Sequence, residues 1–77
     1  MTANERAGSG EPAITKRRDG KYEQRLGDRW SAEYYEEPLT GLWRVDVYHH
    51  DVAEWVSSGH ASLEEAARAA REYFDQV

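Results

Sequence analysis

The chain has 77 residues, a net charge of −5, 39% hydrophobic and 32% charged residues, and no cysteine. That length allows one small domain. The missing cysteines exclude disulfide staples, a thiol nucleophile, and cysteine-type zinc or iron–sulfur sites. No apolar run approaches the ~18 residues of a membrane-spanning helix, and the first residues lack the apolar stretch of a secretory signal, so a cytoplasmic chain is the expectation.

Leu, Ile, Val and Phe together number 11 of 77, under the roughly 20% below which disorder is common. Three Trp and five Tyr act in the other direction, since each buried ring removes a large area from water. The two tendencies separate along the chain. Residues 1–20 read as a disordered tail with a basic end: Ala7-Gly8-Ser9-Gly10-Glu11-Pro12 is small, polar and broken by Gly and Pro. Tyr22, Gln24 and Leu26 alternate with Glu23 and Arg25, which permits a strand over about 21–26, between turns at Gly20 and Gly27-Asp28. The secure part of the domain begins at Trp30.

Trp30, Ala32 and Tyr34 alternate with Ser31, Glu33 and Tyr35, the period of a half-buried strand. Glu36-Glu37-Pro38-Leu39-Thr40-Gly41 is a turn. Leu42 to His49 alternates again, with Trp43, Val45 and Val47 on one face and Leu42, Arg44, Asp46 and Tyr48 on the other. Residues 53–58 favour a third strand after a turn at His49-His50-Asp51-Val52, because Val56, Ser57 and Ser58 are indifferent helix formers. The alternative is a short helix capped by Asp51 and stopped at Gly59. The last segment is a helix. Ser62 with Glu65 makes a capping box, and Leu63, Ala66, Ala67, Ala70, Phe74 and Val77 form one apolar stripe.

These elements predict an α+β fold: a three-stranded antiparallel sheet in the order β-β-β-α, with the helix packed on one face, occupying residues 21–77. A single helix covers one face only. The uncovered face, or a sheet edge, then offers Tyr35, Leu42, Tyr48 and Trp55 to a protein partner or a second copy. Charge is divided as well: residues 1–29 carry net +2 and residues 30–77 net −7. The basic run Lys16-Arg17-Arg18, with Lys21, Arg25 and Arg29, forms a candidate arm for a nucleic-acid phosphate backbone, although the acidic body would repel phosphate.

Catalytic and metal chemistry find little support. His49 and His50 are adjacent and would point to opposite faces of a strand, while zinc needs three or four converging ligands. Glu36-Glu37 belongs to a turn and Glu64-Glu65 to the first turn of a helix, where carboxylates favour the dipole. There is no nucleophile elbow, phosphate loop or dinucleotide fingerprint. The expectation is a non-enzymatic interaction module without metal or cofactor.

The stretch Trp55-Val56-Ser57-Ser58-Gly59-His60-Ala61-Ser62-Leu63-Glu64-Glu65-Ala66 resembles two arrangements. One is the C-terminal half of the double-stranded-RNA-binding domain, in which a last strand leads through Gly and Ser into an Ala-rich helix. Here Glu64 and Glu65 stand where that family has a basic helix start. The other is the HicB-type antitoxin domain, whose last strand enters a Ser/Thr-Leu-Glu-Glu-Ala helix. The first resemblance implies RNA binding; the second implies an antitoxin-like protein partner and dimerisation.

Overall fold

The structure, a computed structural model, describes residues 13–77; the tail expected over residues 1–12 lies outside them. The described chain is α+β, with one antiparallel sheet and one C-terminal helix, but the sheet has five strands rather than three. Strands β1 (Thr15–Lys16), β2 (Tyr22–Gly27), β3 (Trp30–Glu36), β4 (Trp43–His49) and β5 (Val52–His60) follow one another in space as in sequence, and α1 (Leu63–Phe74) closes the fold. Residues Val52–His60 are strand throughout, and the helical alternative for this segment does not occur.

The period-2 pattern sets the two faces. Gln24 and Leu26 of β2, Ala32 and Tyr34 of β3, and Val45 and Val47 of β4 are all buried on the helix side. Cross-strand pairing aligns them in rows, Tyr22 with Tyr34 and Val45, and Gln24 with Ala32 and Val47. Tyr34 is fully buried, and its hydroxyl donates to Gln24 Oε1 at 2.7 Å. That contact explains how a polar side chain can occupy a core position of β2.

Helix α1 packs on β3, β4 and β5 through Ala66 and Ala70, both at 0% exposure. Methyl-sized side chains let the helix axis approach the sheet closely. Larger rings close the ends: Phe74 meets Trp30 edge-on at 5.6 Å, and Tyr73 stacks on Trp55 at 4.6 Å and 7°. Gly27 makes room for the first contact, since a Cβ there would lie 2.7 Å from Phe74 Cζ. The helix stops at Phe74, so Val77, expected to end the apolar stripe, is 64% exposed.

Ser62 is the N-cap. Its Oγ accepts from Glu65 N at 3.2 Å, and Glu65 Oε1 accepts from Ala61 N, one residue before the donor of a standard capping box. Ser62→Ala should lower the unfolding free energy by about 1 kcal/mol, a change that urea denaturation will resolve.

The β4–β5 hairpin turns on His50 and Asp51, with φ of 53° and 66°. Positive φ at both central residues is the geometry whose twist matches that of the strands.

Candidate functional site

The side chains pointing away from the helix form a polar surface that also carries two tyrosines. Glu23, Glu33 and Asp46 stand in one row across β2, β3 and β4. Two guanidiniums pair with it. Arg17, in the β1–β2 turn, donates to Glu33 and also pairs with Asp19 at 3.0 Å and Glu23 at 3.7 Å. Arg44 donates to Asp46 at 3.0 Å. Tyr35 and Tyr48 lie on this face as the alternation predicts. Tyr35 sits beneath Lys21 at 4.9 Å and beside Arg44 at 5.9 Å. Burial, then the Glu33 and Asp46 carboxylates, raises the Tyr48 phenol above its ordinary range.

The other two expected contact residues are elsewhere. Leu42 precedes β4 in the turn and is 37% exposed. Trp55 is on the helix side, stacked on Tyr73 at the sheet edge. A bulge in β5 is the cause. Tyr48 pairs with Ala53 while Val47 pairs with Trp55, so one step on β4 spans two on β5. The extra residue, Glu54, resets the parity and carries Trp55 to the helix side.

The basic residues do not form an arm. Lys16 lies in β1 over the Tyr22 ring at 5.8 Å, and Arg17 is held by three carboxylates. Arg18 is exposed in the following turn. Lys16 and Lys21 share a shallow cleft of about 460 Å³ with Tyr22, Tyr35 and Trp43 at one end of the sheet. Arg25 and Arg29 lie at the opposite end, beside the β4–β5 turn. The histidines are drawn into local contacts: His49 stacks on Trp30 at 4.1 Å, and Ser57 Oγ and His60 Nε2 are 2.8 Å apart. Among the described residues no group of three or more His, Asp or Glu is placed to hold a metal ion.

What remains open to a partner is the edge. On one side the sheet ends in β1, two residues long. On the other it ends in β5, nine residues long, with one flank of backbone N–H and C=O groups outside the sheet. Edge strands are commonly protected by lysine or proline, and β5 has neither; its one full charge is Glu54. Val52 and Val56 are 58% and 46% exposed. A second bulge, where Trp43 and Val45 pair with His60 and Ser57, leaves Trp55–Ser57 as the regular centre of this edge. Gly59, with φ of 83°, supplies the backbone turn at that bulge.

The resemblance to the double-stranded-RNA-binding domain does not extend to the whole fold. Among the described residues no helix precedes the sheet, whereas the double-stranded-RNA-binding domain begins with one, and the N-terminal turn of α1 is acidic. In comparisons with protein-family models, curated proteins and solved structures, nothing matches the chain.

Proposed function

We propose that this protein is a non-enzymatic interaction module that associates through the β5 edge, with a second copy of itself as the partner. The supporting observation is the nine-residue edge strand, free of lysine and proline, with exposed Val52 and Val56. The sequence of β5 favours self-pairing. An antiparallel pairing centred on Val56 sets Val56 against Val56, Trp55 against Ser57, Glu54 against Ser58 and Val52 against His60. No like charges then face each other. The two valines meet on the polar side of the sheet, and the Trp55–Tyr73 stack of each copy borders the junction on the helix side. Such a contact is isologous, as a two-fold dimer requires. The two bulges confine regular pairing to the strand centre, which makes a dimer in exchange with monomer rather than a permanent one.

Val56→Lys tests this reading. It places two ammonium groups opposite each other in the dimer, while within the monomer it sets a lysine beside Asp46, the cross-strand partner of Val56. Sedimentation equilibrium should show a concentration-dependent dimer for the native chain and a monomer for Val56→Lys, with unchanged circular dichroism. A native chain that stays monomeric up to the highest soluble concentration overturns the proposal.

A further inference from the structure

Three non-glycine residues among those described have positive φ: Arg29 at 63°, His50 at 53° and Asp51 at 66°. All three line one pocket of about 270 Å³, together with Arg25, Trp30 and Ser31. His and Asp are comparatively tolerant of this conformation; Arg is not, and glycine would adopt it without steric cost. The backbone here is also tied together. His50 N donates to Arg29 O at 2.9 Å and joins the β2–β3 turn to the β4–β5 turn. The Trp30–His49 stack lies beneath, at 4.1 Å. Two turns, one with Arg29 in a conformation costly for it, are thus locked into a shape that holds Arg29 and His50 beside Arg25.

We infer that this pocket binds a phosphate-type oxyanion, independently of any pairing through β5. Arg25 and Arg29 take part in no ion pair among the described residues, in contrast to Arg17 and Arg44. Both are exposed, so both are free to turn toward a bound anion. A guanidinium matches the oxygen spacing of phosphate with paired N–H donors. The Ser31 hydroxyl and the His50 ring supply further donors. Asp51 stands at the same pocket and opposes an anion, so the arrangement predicts weak, salt-sensitive binding. Strain at a functional site is held in place by the surrounding structure, and the His50–Arg29 bond with the underlying ring stack is that structure here.

Titration of the full-length protein with sodium phosphate, followed by amide NMR, tests the inference. The expected result is saturable shifts at Arg29, Trp30, Ser31, His50 and Asp51 that sodium chloride of equal ionic strength does not reproduce. Arg29→Gly keeps the backbone geometry and relieves its strain, so it should melt no lower than the native chain. It should also weaken phosphate binding about tenfold, the loss of one charge-assisted contact. Arg25→Gln should weaken it by a similar factor without altering the turns. Tighter saturation of the same amides by a short single-stranded oligonucleotide would assign the phosphate to a nucleic acid; tighter saturation by phosphate itself would assign it to a free anion. Absence of saturable shifts, or equal binding by Arg29→Gly, overturns the inference.

Discussion

Tyr34→Ala should remove about 3–5 kcal/mol of stability, which is comparable to the whole stability of a domain this small. Tyr34 is the largest side chain with no exposure, at the centre of the middle strand. Its neighbours across the strands are Tyr22 and Val45. Truncation therefore opens a cavity where the surrounding sheet, hydrogen-bonded on both sides, has little freedom to collapse. Tyr34→Phe separates the two components of the effect. It keeps the ring and removes the donor that meets Gln24 Oε1 at 2.7 Å, so it should cost about 1 kcal/mol. Urea denaturation of both variants measures the division. If Tyr34→Phe is as damaging as Tyr34→Ala, the hydrogen bond rather than the packed ring holds the centre of the sheet.

The Tyr34–Gln24 pair also marks where the sequence is and is not informative. Alternation over Trp30–Tyr35 and Trp43–Tyr48 identifies two strands and assigns every residue of them to the correct face. Burial on one side imposes a period of two, and neither strand contains a bulge residue of its own. β2 is harder to recognise because Gln24 and two charged residues interrupt its apolar signal. Gln24 belongs to the core only through a partner ten residues away, which no local pattern can reveal. β1 is harder still: it has only two residues, neither of them apolar, and its basic surroundings resemble a solvated arm until Arg17 meets Glu33 across the sheet. The face of Trp55 depends on register, and register is what local pattern leaves open. Its strand is correctly expected, but parity counted from the hairpin is reversed by the Glu54 bulge. Of the expected contact residues, Tyr35 and Tyr48 therefore keep their face. Trp55 moves from the polar face to the edge that now carries the proposed contact.

Helix α1 shows the reverse case, in which composition alone specifies tertiary geometry. The spacing of Ala66 and Ala70 places two methyl groups, one turn apart, where any longer side chain would stand between helix and sheet. Both have 0% exposure. Ala70→Leu adds three carbons at a site that already touches its neighbours, so the helix must tilt or the leucine must take a poor rotamer. The expected cost is about 1–3 kcal/mol. Because Tyr73 and Phe74 follow on the same helix, the displacement should also disturb the Trp55–Tyr73 stack and the edge contact of Phe74 with Trp30. Near-ultraviolet circular dichroism should therefore lose intensity even where far-ultraviolet spectra still show a helix. Glu72→Ala, on the exposed side of the same turn, should change stability by no more than ~0.5 kcal/mol and leave the aromatic signal intact. An Ala70→Leu protein with native stability and an unaltered near-ultraviolet spectrum would show that the helix does not rest on its alanines. The close approach that brings Tyr73 to Trp55 at the β5 edge would then need another cause.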